Sequence, residues 1–200
     1  MKVVVVGATE PVGSHVARAC LNEERITKVF IITRKEPIEE IAKSPKVEVI
    51  LHQDFASWSG DLMKRLDGVE AYLCAARPTS TSPGYSPALP DGTKFRFVFC
   101  SGEAAEWDQD RTLIFMSDTR KIKCEIERRL CELADAEARF ETFLLRPAEI
   151  QDENTGVVRR TLMRPLGLAV DAVEVGNAMV NIGVEGTTKR ILENTDILKT

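Results

Sequence analysis

Acid–base chemistry needs titratable groups that converge, and this chain repeats one placement three times: Glu10, Glu103 and Glu149 each stand a few residues beyond an apolar run. The runs are Lys2 to Val6, Phe95 to Cys100 and Thr142 to Arg146. A carboxylate whose pKa is raised by burial works as a general acid or base near neutral pH. Ser101, directly after the second run, adds a hydroxyl able to polarise a carbonyl or hydroxyl group. Thr119 and Lys123 are four residues apart in a segment patterned as a helix, with Glu127 continuing the row, so 119 and 123 can point into one cleft. Metal chemistry is not expected. The two histidines, His15 and His52, sit in different elements, and the five cysteines show no C-x-x-C spacing. The cysteines read as buried, reduced thiols.

The first of these places is the most informative. Lys2-Val3-Val4-Val5-Val6-Gly7-Ala8-Thr9-Glu10-Pro11-Val12-Gly13 is an apolar strand, a turn of small residues and a helix start with Pro11 in its first turn. That arrangement lays a dinucleotide pyrophosphate on exposed backbone N–H groups. Gly7, Thr9 and Gly13 suit the task; Glu10 does not, because it brings bulk and negative charge. A unit charge about 4 Å from a phosphate costs about 1 kcal/mol in water and about 4 kcal/mol at an effective dielectric near 20. Glu10 is expected to favour its own helix N-terminus, acting as a built-in occupant of the phosphate position.

The elements that must position these groups alternate. Strand patterns at Lys2 to Val6, Lys28 to Thr33, Lys46 to Leu51, Glu70 to Ala75, Phe95 to Cys100 and Thr142 to Arg146 are interleaved with helices near Pro11 to Asn22, Asp61 to Leu66 and Ser117 to Ala136. A last helix opens at Asp171-Ala172-Val173-Glu174 and runs to about Gly183, followed by a short strand from Arg190 to Leu192. Near-continuous Val/Ile/Leu/Phe runs fit strands buried on both faces. The expectation is one doubly wound parallel α/β domain, Rossmann-like, spanning 1–200. On the long helix, Ile122, Ile126, Leu130 and Leu133 form a stripe expected to be core.

Between the fourth and fifth strands, where a crossover helix belongs, the chain instead runs Arg77-Pro78-Thr79-Ser80-Thr81-Ser82-Pro83-Gly84-Tyr85-Ser86-Pro87-Ala88-Leu89-Pro90-Asp91-Gly92. Its prolines and glycines forbid a useful helix. Part of one sheet face then loses its cover, and a homodimer is expected to supply it. The net charge of −4 and pI near 5.4 disfavour nucleic acid and anionic membrane as partners. No signal or spanning segment is read, so a soluble, cytoplasmic protein acting on a small molecule is expected.

These residues together resemble the atypical short-chain dehydrogenase/reductase (SDR) family of the NmrA-like, NAD(P)-binding kind. The resemblance rests on Val6-Gly7-Ala8-Thr9-x-x-x-Gly13, Asp54-Phe55, Phe97-Val98-Phe99-Cys100-Ser101-Gly102, Asp118-Thr119-Arg120-Lys121-Ile122-Lys123-x-Glu125, Leu145-Arg146-Pro147 and Arg190-Ile191-Leu192-Glu193-Asn194. It implies that Gly7 and Gly13 serve the turn and its packing, that Arg34 faces an NADP 2′-phosphate and that Asp54 lies near the adenine. It also implies Ser101 and Lys123 beside the nicotinamide ribose and substrate. The chain departs from the family as a degenerate member. The middle glycine is Glu10, and the tyrosine four residues before the lysine is Thr119, too weak an acid for the usual proton donation.

Three classes of function follow. One is an NAD(P)H-dependent oxidoreductase, supported by the fold and Arg34 and opposed by Glu10 and Thr119. Another is an enzyme of small-molecule, including secondary, metabolism that has dropped the nucleotide and uses the cleft for isomerisation, cyclisation or dehydration. In it Glu103 or Glu149 is the acid/base, while Lys123 and Ser101 polarise the substrate. The third is a non-catalytic nucleotide-sensing or partner-binding regulator. The second is the expectation carried forward: no cofactor is favoured, with NADP or NAD the candidates if the glycine loop still binds one.

Overall fold

In the computed structural model the chain is described over residues 1–55, 57–76, 92–102, 117–153, 155, 162–163 and 166–200, with the backbone alone for 117–121. The Pro-rich segment over 77–91 and the loop over 103–116, which contains Glu103, lie outside the described residues, as does the side chain of Thr119.

Seven parallel strands form one sheet in the order β3-β2-β1-β4-β5-β6-β9: β1 (Lys2–Val6), β2 (Lys28–Thr33), β3 (Val47–Leu51), β4 (Ala71–Cys74), β5 (Phe95–Cys100), β6 (Phe140–Arg146) and β9 (Ile191–Glu193). The order reverses at β1, whose Val3 pairs with Val29 on one side and Ala71 on the other. This is the doubly wound, Rossmann-like sheet expected from the uninterrupted apolar runs. Alternation along β1 explains why those runs are needed. Val3 and Val5 enter a core with Ile31, Leu73 and Val98, whereas Val4 and Val6 enter a second core with Phe30, Ile32 and Tyr72.

The first core is covered by α1 (Pro11–Asn22) and α5 (Ala172–Glu185). α5 approaches both α1 and strand β4 closely because it presents a glycine to each. A Cβ at Gly176 would stand 2.8 Å from the His15 Cβ, and one at Gly183 would stand 2.8 Å from Leu73 Cδ2. The second core lies under α3 (Gly60–Arg65) and the inner side of α4 (Ser117–Ala136). Short elements not foreseen from the sequence are α2 (Glu39–Ala42), the terminal α6 (Asn194–Ile197) and a separate two-stranded parallel ribbon, β7 (Glu149–Gln151) with β8 (Ala169–Asp171). Three or four residues carry too few periods to be read as a pattern.

One expectation is corrected. The stripe on α4 is not core: Ile122 is 43% and Leu133 38% exposed, and Ile126 is only half-buried. The helix instead buries Cys124 and Glu127, with Leu130 and Ala134 partly buried against the second core. That is a rotation of about one residue step, about 100°. The cause is electrostatic. Arg146, at the end of β6, is only 15% exposed, and the Glu127 carboxylate meets it in a two-pronged ion pair that sets which face of α4 turns inward.

Candidate functional site

The turn after β1 keeps its glycines for steric reasons visible in the backbone. Gly7 has φ +92°, and a Cβ there would lie 2.6 Å from the Ala76 nitrogen at the end of β4. At Gly13 a Cβ would fall 1.9 Å from the Gly7 carbonyl oxygen. Both positions therefore allow α1 to start close against the strand ends. Thr9 and Glu10 are exposed. Glu10 is the N-cap of α1 in an ordinary extended conformation (φ −96°, ψ 159°), which explains how a glutamate replaces a glycine without breaking the turn. Its N–H donates to Gly7 O at 2.8 Å and its carbonyl accepts from Ser14 N at 2.9 Å.

The Glu10 carboxylate makes no capping hydrogen bond to the free N–H groups of its own helix. The occupancy expected of it is thus not drawn as a bond, and the charge stands exposed at the mouth. Pro11 occupies the first helical position and has no N–H, so the helix end offers one donor fewer to an anion. Charge and donor count agree. The first turn keeps the backbone shape of a diphosphate cradle, with an exposed carboxylate and one N–H donor fewer at the helix start.

At the neighbouring strand ends, Thr33 Oγ1 donates to Lys35 O at 2.7 Å and closes a turn that leaves Arg34 exposed. The Arg34 carbonyl accepts from Gln53 Nε2 at 3.0 Å, and exposed Asp54 follows one residue later. Arg34 and Asp54 therefore follow the ends of β2 and β3, near Phe55 and Trp58, whose rings meet His52 edge-on.

The ends of β5 and β6 are built differently. Ser101 continues the ladder, its N–H donating to Leu145 O at 2.8 Å, and it is 2% exposed with an Oγ that has no hydrogen-bond partner among the described residues. Lys123 Nζ, on α4, donates to the Ser101 carbonyl oxygen. Gly102 has φ +138°, and a Cβ there would lie 3.5 Å from Lys123 Nζ. The structure thus joins Ser101 and Lys123, through the serine backbone rather than its hydroxyl. Burial pushes the thiols of Cys100 and Cys74 up to about 11 and about 12, with Lys123 opposing the first. Both are poor nucleophiles at neutral pH.

Arg146 reaches Glu127 with Nε at 3.1 Å and Nη2 at 2.5 Å, and Glu193 with Nη1 at 3.5 Å. Chiefly through the Glu127 hydrogen bonds, its guanidinium is held above its ordinary pKa. The next residues form a loop tied from behind by Asn194, whose Oδ1 accepts from Ala148 N at 3.1 Å and whose Nδ2 donates to Gly167 O at 3.0 Å. Glu149, half-buried, heads β7, with its N–H donating to Leu168 O at 3.2 Å. One residue that sequence reasoning missed is Gln151, buried at the end of the same strand. A three-residue strand gives no period from which its inward direction could be read. Among the described residues no group of three or more His, Cys, Asp or Glu side chains could hold a metal, and no helix is long and apolar enough to cross a membrane.

No family model matches the chain. Among curated proteins it is similar to leucinostatins biosynthesis cluster protein T of Purpureocillium lilacinum, 26% identical over an alignment of 201 positions, gaps included, that covers 83% of this chain and 71% of that one. Among solved structures it is similar to a short-chain dehydrogenase/reductase from Saccharomyces cerevisiae, with TM-score 0.69, 12% identity, and 98% and 96% of the two chains covered. Yeast methylglyoxal/isovaleraldehyde reductase Gre2, solved with NADPH, superposes with TM-score 0.62 at 17% identity, covering 96% of this chain and 75% of that one. The chain has the SDR fold, as the resemblance implied.

Proposed function

We propose that this SDR-fold protein is an enzyme of secondary metabolism that works on a small organic molecule without a nucleotide, by acid/base chemistry of the isomerase, cyclase or dehydratase type. The observation that carries the reading is the first turn of α1, where the exposed Glu10 carboxylate and the donor missing at Pro11 replace two features a diphosphate needs. Setting in a biosynthetic cluster is supported by the similarity to the leucinostatin cluster protein. In this reading Glu149, or Glu103, moves the proton. Lys123 and Ser101 orient the substrate oxygen at the end of β5. A homodimer that covers the sheet face beside the Pro-rich segment belongs to the same proposal.

A second reading, an NAD(P)H-dependent oxidoreductase, is favoured by the intact Gly7 and Gly13 packing and by reductase neighbours such as the NADPH complex. Calorimetric titration of the purified protein with NADPH and NADH, with mass spectrometry for co-purified nucleotide, separates the two. The cofactor-free reading expects no saturable heat and no bound nucleotide. Micromolar binding of either dinucleotide ends it. Light scattering tests the dimer.

A further inference from the structure

We infer that Gln151 anchors the ligand of this site, and that the group it holds carries a hydrogen-bond donor and an acceptor side by side, as a lactam or carboxamide does. The inference rests on the reading of the cleft as a small-molecule site and adds the substrate class to it.

Gln151 is 1% exposed, and neither its Oε1 nor its Nε2 has a hydrogen-bond partner among the described residues. A primary amide offers two donors and an oxygen with two lone pairs. Buried side-chain polar groups are paired in the large majority of cases, and an unpaired one is costly, so an amide with both ends open needs a reason. Its position supplies one. Side chains alternate along β7, so Gln151 shares a face with Glu149, the proposed acid/base residue, while Ile150 takes the other. Across the ribbon Glu149 pairs with Ala169 and Gln151 with Asp171. Val170, on the opposite face of β8, is packed into the α1/α5 core, so the Glu149–Gln151 face is turned away from that core.

The nearest polar neighbour in register does not answer the amide, because Asp171 is engaged in the capping box of α5: its side chain accepts from the N3 backbone and its N–H donates to Glu174 Oε2 at 3.0 Å. Leu166 and Leu168, just before β8, and Val173, in the first turn of α5, are exposed apolar residues of this region of the chain. The chemistry that complements Gln151 is a planar group with N–H and C=O on one edge, which closes two hydrogen bonds with the glutamine amide. A ketone closes one, and an N-alkylated lactam loses its donor.

The test uses the full chain, labelled with nitrogen-15 and titrated with δ-valerolactam, N-methyl-δ-valerolactam and cyclohexanone. The side-chain amide resonances of Gln151 are assigned by their loss in Gln151→Leu. The expected result is a saturable shift of those resonances by δ-valerolactam and at least tenfold weaker binding of the other two probes. Gln151→Leu should lose the lactam-induced shifts of the backbone amides of β7 and β8, followed in the same spectra, while its Tm equals or exceeds that of the parent, since an apolar side chain replaces an unpaired amide. A Tm lowered in both Gln151→Leu and Gln151→Met would show that the fold satisfies the amide internally, as a buried water does, and would overturn the inference. So would equal responses to all three probes, or none. Binding of NADPH would remove the cofactor-free reading yet leave a lactam shift standing, so the two failures are distinguishable.

Discussion

The turn after β1 and the ends of β5 and β6 lie at the same edge of one sheet, yet they have kept opposite things. The β1 turn has the backbone shape of the cradle, with Gly7 and Gly13 packed against carbonyl and amide atoms, while Glu10 and Pro11 put an exposed carboxylate and a residue without an N–H at the helix start. The β5 and β6 ends retain polar side chains held in place, Lys123 on the Ser101 carbonyl and Arg146 between Glu127 and Glu193. Shape and chemistry are separable. Glycine at the first place is enforced by packing whether or not a nucleotide binds, so its presence there says little about the cofactor.

The largest effect expected from breaking this comparison is at Gly13. Gly13→Ala places a Cβ where only the Gly7 carbonyl fits, and should cost about 3 kcal/mol or more, read as a collapse of the urea midpoint. A comparable loss is expected on the other side. Glu127→Ala strands Arg146 with its main partner gone and should cost about 3–5 kcal/mol. The double variant Glu127→Leu with Arg146→Met should recover most of that loss, because removing both charges also removes the desolvation penalty. If it does not, the pair is a net stabiliser rather than a device that sets the face of α4.

Chemistry is probed without shape by Glu10→Gly, since the backbone there is already ordinary. This change should tighten NADPH binding from several-fold to several-hundred-fold, corresponding to about 1 to 4 kcal/mol of relieved repulsion. Calorimetry showing no gain would sink the electrostatic account of the first turn. The smallest effect is a pH dependence far from both places. Hydrogen bonds from Lys28, and then Arg65, hold the Glu48 carboxyl below its ordinary value of 4.5. A depressed folded pKa means the unfolded chain binds the proton first. That contribution is therefore complete above pH 4.5 and is lost as the pH falls through the folded value. Glu48→Gln should flatten this acid limb in thermal melts from pH 3 to 6 and leave the cleft unaffected.

How much could be read from the chain alone differs along it. The strands Lys2–Val6, Lys28–Thr33 and Phe95–Cys100 and the helices Pro11–Asn22 and Ser117–Ala136 were legible to the residue, because four or more β-branched or aromatic residues in a run of five or six, or three helical turns, exceed any competing pattern. The face of α4 was not. Ile122, Ile126, Leu130 and Leu133 made the obvious stripe, and a buried glutamate opposite it is intelligible only once Arg146 is seen to reach it from a strand 19 residues away. Of the candidate site, the resemblance named Ser101 and Lys123 together as neighbours of one ligand, without a bond between them. That the two are joined through the Ser101 carbonyl, with no partner for the hydroxyl among the described residues, was not foreseen.

Local order along the sequence thus determined the strand and helix pattern, the sheet's parallel winding and the glycine positions of the first turn, since hydrophobic period and backbone sterics act between near neighbours. Tertiary structure alone decided which side of α4 turns inward, how Asn194 ties the loop after β6 and where an unpaired amide is buried at Gln151. Those are properties of groups that meet from distant parts of the chain, and a polar group's cost or use depends on the partner it meets there.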